Sequence, residues 1–229
     1  MSEKEEKEEI NQKLLYYLVI IGDSQVGKTT LFHRIKSNIF QKNTLLTTGP
    51  SERSILNLKL DNEDVELFLV DTPGLEPYKI ASEKYLSKSD AALILYDVTK
   101  KNSFQNIDNW IEFIKNCIPE KEKETYTYFI AGTKTDLLED NGYEKKEREV
   151  EEYDAKDKCE DKNLVWLGEI SSKCGNGKII QLEEILKTIH EKRKAKKQIE
   201  KERRNKKLKQ LRKSSSKKPS KKKKKCCDC

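Results

Sequence analysis

Short apolar runs separated by amphipathic stretches recur along most of this chain. Segment 54–60 alternates apolar and polar residues with period two, which predicts a strand with one exposed face. Segment 65–70 is more continuously apolar, and Asn62 lies between the two segments in a sequence typical of a hairpin turn. Five runs have the length and composition of buried strands: 14–21, 65–70, 91–96, 126–131 and 163–170.

Helical spacing of apolar residues appears between these predicted strands. It predicts helices over 30–35, 103–117 and 179–189, and the highly charged segment 140–161 is predicted to be partly helical. Strands that alternate with helices indicate an α/β fold, a mainly parallel sheet of six strands flanked by about five helices. In such sheets ligands bind at the carboxyl ends of the strands, so we expect the functional residues there.

Charge divides the chain into two very different parts. From His190 onward there are 20 Lys and Arg against 4 Asp and Glu, a net charge of +16, whereas the whole chain carries +7 and residues 1–189 therefore −9. We expect a charged leader over 1–12, a domain over 13–190 and a basic tail over 191–229. Basic tails bind anionic partners, either nucleic acid or the cytoplasmic face of a membrane.

Hydropathy and cysteine content limit where the protein works. No segment reaches the roughly 18 apolar residues of a membrane-spanning helix. Cys117, Cys159 and Cys174 are scattered and do not indicate a disulfide framework, so a reducing cytosolic setting is favoured.

A phosphate-binding motif lies between the first predicted strand and the first predicted helix. Residues 22–29 read GDSQVGKT, which fits the pattern G-x-x-x-x-G-K-[ST]. In this pattern backbone N–H groups surround a phosphate, Lys28 reaches the β- and γ-phosphates, and the Thr29 hydroxyl holds Mg²⁺. The predicted contacts of this loop with the nucleotide are Ser24, Gln25, Val26, Gly27, Lys28, Thr29 and Thr30.

Further motifs follow the later strands. Asp71 can bind Mg²⁺ through water, and the N–H of Gly74 can meet a γ-phosphate. Segment 133–136, Thr-Lys-Thr-Asp, offers the Asp136 carboxylate to the N1 and 2-amino groups of guanine, which adenine cannot match, while the Lys134 stem can lie over the base. Ser171, Ser172 and Lys173 can frame the guanine O6.

With these motifs the chain resembles the Ras superfamily of small GTPases, P-loop NTPases by fold, and most closely the Rab branch. The resemblance spans residues 14–189. It rests on GDSQVGKT, on YDVT at 96–99, on Trp110 and on EISSK at 169–173.

The resemblance implies a GTP/GDP switch that uses Mg²⁺ and hydrolyses GTP as a monomer. Phe40 would pack against the guanine and Thr47 would close over Mg²⁺. Segments 38–50 and 72–88 would be switches that contact effector, exchange and activating proteins. The implied catalytic positions are Lys28, Thr47, Gly74 and Leu75, and the implied Mg²⁺ ligands are Thr29, Thr47 and, through water, Asp71.

Four departures from the family's pattern matter. Leu75 stands where the family has the glutamine that orients the attacking water, so weak hydrolysis and a GTP-biased state are expected. The alternative is a tolerated apolar residue, with the water held by backbone or a partner. Pro73 replaces the usual alanine. Thr133 replaces the usual asparagine, as in Rho-type relatives that still bind guanine. Residues 50–52, Pro-Ser-Glu, stand where Rab proteins have an apolar-acidic-aromatic run, at the edge of the first switch that contacts effectors.

The tail combines lysines 221–225 with Cys226, Cys227 and Cys229. This arrangement fits a lipid anchor beside a polybasic patch, because one lipid chain gives only marginal membrane binding. Cys227 and Cys229 resemble the C-x-C end that Rab proteins geranylgeranylate. Modification of Cys226 in a C-a-a-X motif, an unmodified tail and a metal site remain alternatives.

Three functions follow from the sequence. The first is a membrane-anchored switch of vesicle transport, on the cytoplasmic face of an intracellular membrane with a cytosolic pool. The second is a GTP-locked binding scaffold, motivated by Leu75. The third, a nucleic-acid-associated GTPase, is disfavoured because no aromatic residue follows Trp166 for bases to stack on.

Overall fold

A six-stranded sheet forms the framework of the protein. The computed structural model describes residues 14–41, 51–74, 80–139, 145–174 and 180–215. The strands lie in the order β2-β3-β1-β4-β5-β6. They are β1 (Leu14–Gly22), β2 (Arg53–Leu60), β3 (Glu63–Asp71), β4 (Ala91–Asp97), β5 (Thr127–Thr133) and β6 (Val165–Ile170). All neighbours are parallel except the antiparallel pair β2 and β3, so the predicted fold class is confirmed.

The β2–β3 hairpin turns where the sequence predicted it. Asp61 and Asn62 have positive φ values of 49° and 69° between the two strands. Two such residues in succession form the tight turn whose twist matches that of paired strands, and Asp and Asn tolerate it better than most residues. Along β2 exposed residues alternate with less exposed ones, as its period-two pattern predicts.

The described residues form six helices: α1 (Lys28–Ser37), α2 (Ile80–Leu86), α3 (Lys101–Gln105), α4 (Ile107–Cys117), α5 (Glu152–Asp161) and α6 (Leu182–Ser215), with short 3-10 turns at Glu120–Glu122 and Thr135–Leu137. The helix predicted over 103–117 is instead two helices that meet at Asn106. Apolar spacing continues across this residue, so the pattern does not reveal the break. Within 140–161 only α5 is helical among the described residues.

Two apolar clusters cover the two faces of the sheet. One joins alternate residues of β1, β3 and β4 to Leu31 and Phe32 of α1 and to Ile185, Leu186 and Ile189 of α6. The other joins the remaining strand residues to α2, α4 and α5. Because both faces are covered, β4 and β5 are buried along their whole length.

Internal contacts divide the chain into two units, Met1–Ile189 and His190–Cys229. In the second unit the chain continues as helix to Ser215. Ile199 and Leu208 are each 46% exposed there, which fits a solvated helix. Among the described residues, no helix combines the length and the apolar character needed to cross a bilayer.

Candidate functional site

The phosphate loop connects the end of β1 to the start of α1. Gly22 has φ 142°, and a Cβ atom there would lie 2.4 Å from the carbonyl oxygen of Leu95. Gly27 precedes the helix with φ 97°, a left-handed conformation that favours glycine. Both glycines of the motif are therefore required by this backbone path, which places the N-terminus of α1 at the strand end.

Lys28 is buried under this loop. Its Nζ donates hydrogen bonds to the carbonyl oxygens of Gly22, at 2.9 Å, and Asp23, at 2.6 Å. Burial lowers the pKa of its ammonium to about 8, and the negative charges of Asp71 and Asp23 only partly oppose this. An anionic oxygen would relieve this desolvation, so the position suits a phosphate.

Thr29 and Asp71 meet beside Lys28. The Thr29 hydroxyl donates to Asp71 Oδ2 at 2.6 Å. Burial raises the Asp71 pKa to about 6, although the hydrogen bond from Thr29 and the positive charge of Lys28 both lower it. Asp71 Oδ1 is buried with no hydrogen-bond partner in the described part of the chain. The half-buried Thr29 hydroxyl and the buried Asp71 carboxylate lie close together, and such oxygen ligands fit Mg²⁺, a hard cation. Thr47, the third predicted ligand, lies outside the described residues.

Gly74 approaches the same loop from the end of β3. A Cβ atom at this position would clash with Lys28 Nζ and would lie 2.6 Å from the Asp23 carbonyl oxygen. Only glycine permits this approach. The structure therefore brings Gly74 to the predicted phosphate position, whereas the next residue, Leu75, lies outside the described residues.

The predicted base-binding residues gather at the ends of β5 and β6. The Thr133 hydroxyl is 2.7 Å from the carbonyl oxygen of Val26 and 2.8 Å from that of Tyr96, so it bridges β5, β4 and the phosphate loop. Ser171 donates to Asp136 Oδ1 at 2.6 Å. Lys173 Nζ lies 3.9 Å from Asp136 Oδ2. The Asp136 carboxylate is thus held in place by its neighbours.

Lys134 is anchored by a buried carboxylate at the end of β4. It has φ 67°, and its Nζ lies 2.8 Å from Asp97 Oδ2. Burial would raise the pKa of Asp97, but the hydrogen bond and charge of Lys134, together with two hydrogen bonds from Thr99, hold it below its usual value. This ion pair fixes the Lys134 stem at the base side of the site.

Other predicted contacts are less constrained. Ser24 and Thr30 are half-buried on either side of Lys28, Gln25 is exposed, and Phe40 is half-buried in the segment after α1. Of the two predicted switches, 38–50 is described only to residue 41, and 72–88 lacks residues 75–79.

The comparisons with known proteins agree with this geometry. The model of a family described as "Ras family" matches residues 17–194, which is most of the chain. The chain belongs to the Ras family. Its relatives with Rab and Ypt names place it in the Rab branch.

Three relatives illustrate the similarity. The chain is 37% identical over 130 residues to "Ras-related protein Rab-11B" of Dictyostelium discoideum, covering 57% of each chain. It is 36% identical over 124 residues to "GTP-binding protein ypt3" of Schizosaccharomyces pombe, covering 54% of this chain and 56% of that one. With "GTP-binding protein YPT52" of Saccharomyces cerevisiae the match is 29% over 199 residues, 78% of this chain and 82% of the other. The chain thus spans little more than half the length of the first two relatives.

Sequence reasoning missed several residues that build the site of this Rab-branch protein. Asp97 belongs to the YDVT segment, and a carboxylate at the end of a strand is the signal that could identify it as a site residue. Arg34 gave no signal: its guanidinium donates to the carbonyl oxygens of Ser172 and Lys173, both at 2.9 Å, and ties α1 to the base-side loop. Asp23 stands at a position where the phosphate motif accepts any residue, so the motif gives no sign of its role.

Proposed function

We propose that this protein is a guanine-nucleotide switch that binds GTP and GDP with Mg²⁺ and hydrolyses GTP to GDP and phosphate. The observation that supports it most is the meeting of two sets of residues at one edge of the sheet. Lys28, Thr29 and Asp71 form the phosphate and Mg²⁺ side, and Thr133 and Asp136 form the base side. Two of the relatives are named GTP-binding proteins.

Each residue has a definite task in this mechanism. Lys28 holds the phosphate oxygens, and the N–H groups of the loop and of Gly74 orient them. Thr29, Asp71 through water, and Thr47 would hold Mg²⁺, which would supply positive charge to neutralise the phosphates. Asp136 accepts hydrogen bonds from guanine, framed by Ser171, Ser172 and Lys173.

Hydrolysis by this protein is proposed to be slow. Leu75 carries no group that can hydrogen-bond water, and water positioning supplies much of the catalysis in this chemistry. Relatives that do have the glutamine hydrolyse GTP unaided at roughly 10⁻⁴ s⁻¹. A second candidate function, a GTP-locked scaffold in which hydrolysis is vestigial, rests on the same residue.

Single-turnover hydrolysis of bound GTP tests these functions. We expect a very slow wild type and a faster Leu75→Gln variant, with Leu208→Gln as the matched control on an exposed helix position. Equal, measurable rates for wild type and Leu75→Gln would contradict the role of Leu75. Failure of the purified, Mg²⁺-loaded protein to bind GDP or GTP would contradict the switch itself.

The tail is proposed to anchor the switch to a membrane and so to serve vesicle transport. Lipid chains on Cys227 and Cys229, with Cys226 as a third candidate, would act with the basic residues of 191–229, which attract anionic lipids. These cysteines lie outside the described residues. In a vesicle flotation gradient we expect wild-type protein from eukaryotic cells to rise with the vesicles. The Cys227→Ser/Cys229→Ser variant should remain in the bottom fraction, and Cys174→Ser should behave as wild type.

The partners follow from the same proposal. Effector, exchange and activating proteins would bind segments 38–50 and 72–88 of a monomeric domain over 13–190, at the cytoplasmic face of an intracellular membrane. RNA binding that weakens steeply with salt would instead favour the nucleic-acid alternative.

A further inference from the structure

Asp23, the second residue of the phosphate loop, is tied to a distant helix. Its Oδ1 accepts a hydrogen bond from the indole Nε1 of Trp110 at 2.7 Å. Its Oδ2 accepts one from the side-chain amide of Asn106 at 2.8 Å. Both carboxylate oxygens are therefore held by neutral donors that lie more than 80 residues away in sequence.

The two donors are themselves fixed in place. Asn106 occupies the break between α3 and α4, and its Oδ1 accepts a hydrogen bond from the Asn109 amide at 3.2 Å, which leaves its NH₂ group for Asp23. Trp110 is 3% exposed and packs edge-on against Phe113, with ring centroids 6.0 Å apart. Rigid donors of this kind lose little entropy when they hold an acceptor.

The backbone of Asp23 contacts the residues at the phosphate side. Its carbonyl oxygen accepts a 2.6 Å hydrogen bond from Lys28 Nζ. The same carbonyl lies where a Cβ atom on Gly74 would clash. A shift of Asp23 would therefore move both the ammonium group and the Gly74 contact.

We propose that Asn106 and Trp110 are positioning residues for nucleotide binding: by anchoring the Asp23 carboxylate at α4, they hold the phosphate loop and Lys28 in the binding conformation. The same two hydrogen bonds hold the negatively charged carboxylate of Asp23 against α4. The carboxylate thus stays at α4 when phosphates bind to the loop. This inference rests on the proposed guanine-nucleotide function, and it assigns a role to the break between α3 and α4.

Dissociation of a fluorescent GDP analogue from the full chain tests the proposal. Trp110→Phe keeps the ring and removes the N–H donor, and we expect it to speed dissociation about fivefold or more, as for loss of one hydrogen bond. Asn106→Ala should act in the same direction. The matched control is Trp166→Phe, which removes an indole N–H from β6 and should leave the rate unchanged.

A double-mutant cycle separates positioning from general destabilisation. If Trp110 acts through Asp23, Trp110→Phe should add little to the effect of Asp23→Ala, since their shared contact is already lost. Additive effects would overturn the proposal, as would a wild-type dissociation rate in Trp110→Phe or an equal acceleration in Trp166→Phe.

A spectroscopic readout does not depend on the nucleotide. In the Trp166→Phe background Trp110 is the only tryptophan, so its emission reports the environment of its indole. We expect Asp23→Ala to shift that emission, and an unchanged spectrum would overturn the anchor. If wild-type protein bound no fluorescent GDP while the emission shift was present, the proposed function would fail, and with it the positioning role, although the contact would stand.

Discussion

The two ends of the candidate site are built in opposite ways. At the phosphate end, Lys28 and Asp71 are buried charges whose pKa values are moved to about 8 and about 6 by desolvation. At the base end, Asp97 is also hidden from solvent, yet its pKa is held below its usual value by the ion pair with Lys134 and the hydrogen bonds from Thr99. The charges of the phosphate end are incompletely compensated, whereas the carboxylates of the base end are paired, Asp97 with Lys134 and Asp136 with Ser171.

This contrast indicates where binding energy is gained. Buried charges without full compensation are costly, and a ligand of suitable charge recovers that cost. The phosphate end therefore suits strong, charge-driven binding of phosphates and Mg²⁺. The base end has paired its groups with each other, so it is rigid before a ligand arrives and suits discrimination between bases.

Removing the phosphate-side charge should give the largest effect. Lys28→Ala deletes a buried ammonium and leaves the Gly22 and Asp23 carbonyl oxygens without their donor. We expect nucleotide affinity to fall at least about a hundredfold, the order of 3 kcal/mol typical of a broken buried charge contact. Isothermal titration with GDP measures it. The control is Lys36→Ala, because Lys36 lies on the same helix as Lys28 but is exposed and pairs with Glu52. This variant should bind GDP normally, and an equal loss of affinity in both variants would contradict the role of Lys28.

Changing the base-side carboxylate should alter selectivity more than overall affinity. Asp136→Asn removes the charge and replaces one of the two acceptor oxygens by an NH₂ donor, so guanine loses a charge-assisted hydrogen bond worth about 1.5–3 kcal/mol. Xanthine has a carbonyl group at C2 that can accept a hydrogen bond from the new amide, so its affinity should rise relative to that of guanine. Competition between GDP and xanthosine diphosphate measures the ratio, with Asp108→Asn as the surface control. A uniform loss for both nucleotides would show that Asp136 acts structurally.

The same contrast explains what the sequence could predict. The residues proposed to meet a ligand lie in short motifs set by ligand chemistry, so the sequence alone predicts Lys28, Thr29, Asp71 and Asp136 as site residues. The supporting contacts of Arg34, Asn106 and Trp110 join elements far apart in sequence, and no local pattern encodes them. The sequence does not predict the break at Asn106, because the apolar periodicity continues through it.

The smallest effect is expected at the link between the two ends. The Thr133 hydroxyl, on a residue that is 3% exposed, bridges Val26 of the phosphate loop and Tyr96 of β4. Thr133→Val keeps the volume and leaves buried carbonyl oxygens without this donor, which should cost about 1–3 kcal/mol of unfolding free energy. Urea unfolding with GDP present measures it. Thr133→Ser keeps the hydroxyl and should lose less; if serine were as costly as valine, packing of the methyl group would contribute as much as the hydrogen bond, which would contradict a bridge made by the hydroxyl alone.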